Sequence, residues 1–390
     1  LSAFALCNFV VRSASLSCTT VRTVGAQGVR VVEPIVWLQN STVVPKDALA
    51  LSEQEPANAT LGLLFPITRF GERVFSRSWE ATSCAAMLAV RHADTKNATV
   101  VPALGRLDPS FRMRGLLFDT MFTKQGGLRA YTEARAAGVD AMAGGYASAV
   151  SEPVALLAGM EGLTLVSPGS SAPELSDKSK YPTFARTYPS DTTSAQLLVE
   201  LLVHFDWRNV AAVYVRNAYG LGYAQALLTA GKAAGLHVRL TAGVGTDGAE
   251  LQEVVQTVKA SGENIVVAIM HDYAPFLDAV AAANLLSSTY AYILVDAGSH
   301  VGRASLQQRS GLLSGMLSWA VDGQSSSGQD VYDRLVDVWR TLRPADCAND
   351  VFSPAESLFA EPLPVPAAFA FDAVVSTAIA LSGSNVTDRP

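Results

Sequence analysis

The sequence predicts an α/β protein of two lobes, each a parallel sheet flanked by helices. Short apolar runs alternate with stretches of helical period from about residue 60 to residue 381, the pattern of strand–helix–strand units with helices on both faces of a sheet. The chain has 390 residues, too many such units for one sheet and a comfortable length for two domains. The alternation is interrupted from Ser167 to Asp191 by a polar stretch containing Pro168, Pro173, Pro182 and Pro189. These prolines bar a helix interior or a central strand, so the stretch is expected as a long ordered loop, and such loops are usually functional.

Residues 1–57 show no clear period and stay unassigned, apart from a strand over 29–38 and a loop over 45–58. The first regular strand is the apolar run Thr60-Leu-Gly-Leu-Leu-Phe, stopped by Pro66. A helix over 76–93 follows, with Ala81, Cys84, Ala85, Leu88 and Ala89 on one face. Next come a strand over 99–104, a helix over 113–137, a strand over 139–144, a helix over 150–161 and a strand over 163–166. After the proline-rich loop the expectations are a helix over 192–205, a strand over 210–215, a helix over 218–234, a strand over 237–241 and a helix over 250–260. A strand over 265–270, a helix over 273–285 and strands over 290–295 and 315–321 lead to a helix over 330–342. A proline-rich insertion over 344–366 precedes the last helix, 367–381.

Composition narrows the function. Hydrophobic residues make up 49% and charged ones 16%, which supplies a large core and argues against extensive disorder. The net charge is -6 with Lys and Arg scattered, so no nucleic-acid partner is expected. No apolar run reaches a membrane span; the nearest, 367–381, is short and contains Asp372, so any anchor is expected outside these residues. Cys7, Cys18, Cys84 and Cys347 form no C-x-x-C and have no histidine at zinc spacing; two disulfides would fit, with three connectivities open. Four N-x-[ST] sequons, at Asn40, Asn58, Asn97 and Asn385, tilt the reading toward an extracellular glycoprotein. G-x-S-x-G, H-E-x-x-H and P-loop motifs are absent, and the five histidines are far apart in sequence. No catalytic residue, metal or cofactor is expected, and the chain is not read as an enzyme.

Ligands of open α/β sheets bind beyond the carboxyl ends of the strands, and the best candidate residues follow strands. Gly144-Gly-Tyr-Ala-Ser148 brings glycines, a helix start and a hydroxyl, a combination suited to an anion, although Ser148 or Ser151 would equally serve as a helix cap. Ser170 and Ser171 follow the next strand, with turn residues as the bland alternative. Ser190-Asp191 opens a helix, and Tyr219-Gly-Leu-Gly222 opens another without the third glycine of a dinucleotide site. Asp296 ends the strand over 290–295.

The order S-x-x-S-S-x-P-x-L-S-D-K-x-x-Y-P-x-F-x-R-T-x-P-S-D closely resembles one segment of the receptor-family ligand-binding region. G-L-L-F-P-I-T, A-M-L-A-V-R-H-A and F-A-F-D-A-V-V-S-T-A-I-A-L extend the resemblance over about residues 59–381. That region forms the two-lobed "Venus flytrap" ectodomain of class C G-protein-coupled receptors (metabotropic glutamate and GABA-B types) and of natriuretic-peptide receptor cyclases. The resemblance implies a periplasmic-binding-protein type I-like fold. Lobe 1 would hold about 60–188 and 298–381 and lobe 2 about 191–296, with hinges near Pro189 and Ala297. It also implies closure on a small ligand, a homo- or heterodimer through lobe 1, and a place on the extracellular side of the cell membrane. Receptors of this type that bind α-amino acids hold the carboxylate with serine and Ser/Thr hydroxyls and the ammonium with two Asp and a Tyr. Those positions fall on Ser148, Ser171, Asp191, Tyr219 and Asp296, with Ser148 and Ser171 on lobe 1 and Asp191 and Tyr219 on lobe 2. Pro168 and Gly169 depart from the Tyr-Ser/Ala common in the family, and no basic residue is placed to read a ligand's distal acid, which counts against glutamate itself. The chain also ends before the closing strands that the family returns to lobe 2. The rival expectations are the ectodomain of a receptor guanylyl cyclase and a soluble amino-acid-binding protein serving a transporter.

Overall fold

The computed structural model describes residues 8–12, 15–19, 35–37, 57–69, 72–73, 77–245, 248, 250–296, 310–313, 316–321, 329–347 and 357–383. They fall into two compact units. One is built from Thr23–Ser170, Asp177–Tyr188 and Gly323–Pro390, the other from Leu1–Arg22, Ser171–Ser176 and Pro189–Asp322. Each contains one main sheet with helices packed on it; the six-stranded sheet is parallel throughout, and the seven-stranded sheet is parallel except for one hairpin.

The six-stranded unit has strand order β10-β9-β8-β4-β7-β3. Its centre is β4 (Ala59–Phe65), buried along its whole length as a strand covered on both faces must be. Around it lie β7 (Met113–Asp119), β8 (Ala141–Gly144), β9 (Leu165–Ser167), β10 (Phe184–Arg186) and β3 (Ile35–Trp37). Helix α1 (Arg77–Asp94) packs against the last helix, α11 (Val365–Gly383), and Cys84 on α1 is disulfide-bonded to Cys347, with Cα atoms 5.4 Å apart. One of the three connectivities left open in the sequence thus supplies a bond; Cys7 lies outside the described residues. Helix α11 is, by length and mean hydropathy (1.7), apolar enough to cross a membrane. Its Ala367, Ala370, Phe371, Val374 and Ala378 are nevertheless wholly buried in the core shared with α1, which makes it a core helix of this unit.

Two expectations change here. The strand expected over 99–104 is a turn followed by the 3-10 helix Pro102–Arg106, and the strand is β7, inside what had the period of a helix starting at residue 113. A short apolar run such as Gly-Leu-Leu-Phe is compatible with either state by period alone. The helix proper, α2 (Lys124–Ala136), begins where Thr123 caps it by accepting from Gly126 N–H. The proline-rich stretch after β9 is not all loop: it holds the 3-10 helix Pro173–Ser176 and β10, which pairs with β9 at the edge of the sheet, where a nearby proline costs no ladder bond. The insertion over 344–366 likewise contains short helices, α9 (Pro344–Cys347) and α10 (Ser357–Ala360), after α8 (Gln329–Trp339).

The seven-stranded unit has strand order β12-β11-β13-β14-β15-β1-β2. Strands β11 (Asn209–Val215), β13 (Ile265–Ile269) and β14 (Ala291–Val295) carry its core, with β12 (His237–Val244) at one edge. Helices α4 (Asp191–His204), α5 (Ala218–Ala234), α6 (Leu251–Ser261) and α7 (Ala274–Ala282) flank the sheet. The return to lobe 1 expected at residue 298 comes later. Strand β15 (Leu317–Ala320) pairs in parallel with β14 and belongs to this sheet. Beyond β15 the sheet is continued by β1 (Asn8–Arg12), parallel to it, and by β2 (Ser15–Thr19), antiparallel to β1. Residues 1–57 thus supply strands to both sheets. Which sheet a short buried strand joins is a matter of tertiary pairing, on which the apolar period is silent.

Candidate functional site

In the six-stranded unit the chain leaves β8 through two glycines with positive φ, Gly144 (136°) and Gly145 (66°). A Cβ on Gly144 would lie 2.1 Å from the Leu64 carbonyl oxygen, so only glycine fits this turn. The hydroxyls of Ser151, Ser167 and Ser170 then converge on the Gly145 carbonyl at 2.6, 2.8 and 2.7 Å. Ser170 Oγ is also 2.8 Å from Ser151 Oγ, and Ser170 N–H donates to Ser167 Oγ. A carbonyl oxygen has two lone pairs for these three donors, so Ser170 divides its single proton between Gly145 and Ser151. Wholly buried, Ser170 ties the loop after β9 to the turn after β8. Neither serine proposed as a cap of α3 (Ser148–Met160) takes that role: Ala147 occupies the N-cap, and Ser148 is the first helical residue, 2% exposed.

In the seven-stranded unit four candidates gather at the carboxyl edge of the sheet. Ser190 caps α4, which begins with Asp191. Asp191 N–H donates to the Ser171 carbonyl at 2.9 Å, and Ser171 Oγ donates to Asp191 Oδ2 at 3.0 Å. Ser171 therefore belongs with Asp191, not with Ser148 as the sequence placed it. Tyr219 is the second residue of α5, whose N-cap Asn217 accepts from Gly220 N–H at 3.0 Å. Asp296 follows β14 with φ 55°, its N–H bonded to the Trp319 carbonyl. Trp319 Nε1 in turn donates to Ser194 Oγ at 3.0 Å, and Ser194 meets the Tyr223 hydroxyl at 3.0 Å.

Burial and charge act together on this edge. Asp191, Asp296 and Tyr219 are 1%, 2% and 4% exposed. Burial, and then the Asp296 carboxylate, push the Tyr219 phenol well above its ordinary pKa, with Tyr273 and Asp191 adding to the effect. Burial, Asp296 and Asp191 likewise raise the Tyr223 phenol. The two carboxylates therefore work on the same pair of buried, neutral phenols. Among the described residues no group of three or more His, Cys, Asp or Glu side chains is arranged to hold a metal ion.

Two residues at this edge were passed over in the sequence. His271 follows β13, between the strands that lead to Tyr219 and to Asp296. Its ring stacks on Tyr219 with centroids 5.0 Å apart and planes at 28°, and its Nε2 is 2.8 Å from Asn217 Nδ2. The rule that singled out Asp296, a polar residue just past an apolar strand, applies equally to His271. Separation of the histidines along the chain hid it. Tyr273, two residues further on and wholly buried, clamps the strand ends, its hydroxyl within 2.7 Å of the Ala268 carbonyl and 2.6 Å of the Val295 carbonyl.

The model of the receptor family ligand-binding region matches residues 87–389, well over half of the chain. The chain belongs to that family. Among curated proteins, this receptor family ligand-binding region is 43% identical over 82 residues to a probable metabotropic glutamate receptor of Caenorhabditis elegans, a match covering 21% of this chain and 8% of the relative. It is 42% identical over 77 residues to the metabotropic glutamate receptor of Drosophila melanogaster, covering 20% and 8%. Over 77 residues it is 38% identical to metabotropic glutamate receptor 4 of Macaca fascicularis, again covering 20% and 8%. The matched stretch thus spans a small part of these relatives' length. The α/β architecture and the receptor relatives agree with the fold and family expected from the sequence.

Proposed function

We propose that this chain is the extracellular ligand-binding domain of a membrane receptor of the class C type, and that its ligand is an amino acid or a close amine–carboxylate relative. The observation that carries the reading is the buried pair Asp191 and Asp296 acting on Tyr219 at the carboxyl edge of the seven-stranded sheet. In the proposal these three residues take the ligand's ammonium, and Ser171 orients Asp191 through its hydroxyl. Ser148 and the opening amides of α3 take the carboxylate, with Ser170 supporting that turn from behind. The proposal extends to closure on the ligand, since a ligand shifts an equilibrium only by binding one state better. It extends also to a dimer through the six-stranded unit, where α3 exposes Leu156 (49%) and Met160 (78%) one turn apart.

The test is thermal unfolding of the purified chain against the common amino acids, glutamate and GABA included, up to millimolar concentration. A ligand at about 100 times its Kd adds roughly 2.7 kcal/mol, a shift of a few degrees. Asp191→Asn and Asp296→Asn should abolish that shift, and X-ray scattering should show the chain contracting with the same ligand. A folded sample that responds to none of these compounds would refute the amino-acid reading.

A further inference from the structure

The geometry points to a further residue of the proposed site: we infer that His271 is a positioning residue for Tyr219, held as a neutral imidazole with its proton on Nδ1. The inference rests on reading the Asp191–Tyr219–Asp296 edge as the ammonium subsite. Three contacts carry it. The ring of His271 lies nearly parallel to that of Tyr219 at 5.0 Å, so each limits the other's rotation. His271 Nε2 faces Asn217 Nδ2 at 2.8 Å. Asn217 Oδ1 is already committed, since it accepts from Gly220 N–H as the cap of α5.

The last two contacts together assign the proton. With its oxygen turned to Gly220, the Asn217 amide offers His271 only its NH2 group, which donates and cannot accept. Nε2 must therefore be the bare, accepting nitrogen, and the neutral ring carries its hydrogen on Nδ1. The same side chain thus caps the helix that presents Tyr219 and sets the plane of the ring stacked on Tyr219. Beneath them the Tyr273 hydroxyl binds the carbonyls of Ala268 and Val295 and accepts from Met270 N–H, which fixes the backbone just before His271 and just before Asp296. Tyr219 is in this way located from two sides, by its own helix cap and by a histidine anchored to that cap. His271 itself is only half-buried, so replacing it leaves the core intact.

Two measurements test this on the full chain. Long-range proton–nitrogen correlation NMR with 15N-histidine labelling, His271 being assigned by its loss in H271Q, reads the tautomer without any ligand. A proton on Nδ1 is expected, and a proton on Nε2 would overturn the inference. Calorimetric titration with L-alanine, L-serine and L-glutamate then compares wild type, H271A, Y219A and the double variant. His271→Ala should weaken binding roughly tenfold, a change of about 1.4 kcal/mol, and should cost nothing further once Tyr219 is gone, because it acts through that ring. His271→Gln, whose amide oxygen can accept from Asn217, should recover most of the loss. Should one of the three amino acids bind wild type and H271A equally, the positioning role is refuted while the proposed function stands. Should none bind the wild type, the ligand reading falls and the positioning role falls with it.

Discussion

His92 provides a stability test whose size follows from its surroundings. It lies on α1, 5% exposed, with its ring edge-on to Phe371 of α11 at 5.7 Å. Burial first, and then the charge of Arg91, lower its pKa from 6.5 to about 4. An unfolded chain takes up this proton near 6.5, the folded chain only near 4, so between those values the unfolded state binds more protons. The contribution is therefore fully present above pH ~6.5, is lost as the pH falls, and levels off below ~4. At 1.36 kcal/mol per pH unit the whole change is worth roughly 3 kcal/mol. His92→Leu keeps an apolar side chain in the place and removes the titration. Guanidinium unfolding of both proteins, stepped from about pH 7.5 to about pH 4, isolates the effect from every other group, because those titrate alike in the two. The stability of wild type relative to H92L should drop by roughly 3 kcal/mol across that window. A difference independent of pH would show that the α1–α11 core does not hold His92 as a buried neutral ring, and the reasoning would fail.

Three other outcomes follow from the geometry. Gly144→Ala puts a Cβ 2.1 Å from the Leu64 carbonyl oxygen at φ 136°; it should lower stability by roughly 3 kcal/mol or more in thermal melts, and an unchanged midpoint would contradict the turn described after β8. Chain secreted from animal cells should carry a glycan on Asn97, whose Oδ1 accepts from Thr99 N–H and Oγ1 and leaves the amide nitrogen out of that turn. Asn58 should stay bare in glycopeptide mass spectrometry, since its Nδ2 donates to Ser110 and its Oδ1 accepts from Arg112. Leu156→Glu with Met160→Glu should convert a dimer to a monomer in light scattering with the melting temperature kept within a few degrees, because both side chains are exposed on α3; a dimer that survives both charges would place its interface elsewhere.

Much of the architecture was legible because strand and helix periods differ and the breakers are well placed. Helix α5 was read from residue 218 to 234 as it stands, with Asn217 before it and Gly235 after it in the left-handed conformation that ends helices. Strand β7 was misread because Gly115, Leu116, Leu117 and Phe118 run together without alternation, as strands buried on both faces do. Strand β10 was missed because Pro182 and a polar setting hide a three-residue edge strand. The lobe assignment of β15 failed for a different reason: its pairing with β14 and β1 is long-range, and nothing local marks it.

The site was legible one residue at a time and illegible as an arrangement. Asp191, Tyr219 and Asp296 each stood at the start of a helix or the end of a strand, where a polar side chain is more often a cap than a contact. The structure adds their spatial order. Strands β11, β13 and β14 are consecutive neighbours in the sheet, so Tyr219, His271 and Asp296 leave three adjacent carboxyl ends. The two bonds between Ser171 and Asp191 then fix Ser171 to the start of α4, within the unit that also holds Tyr219 and Asp296. Adjacent serines thereby acquire opposite tasks. Ser170 is turned inward to the Gly145 carbonyl, while Ser171 holds Asp191, an acid of its own unit. That division explains why Ser170→Ala should act on the turn after β8 and Ser171→Ala on the acidic edge, although one peptide bond separates them.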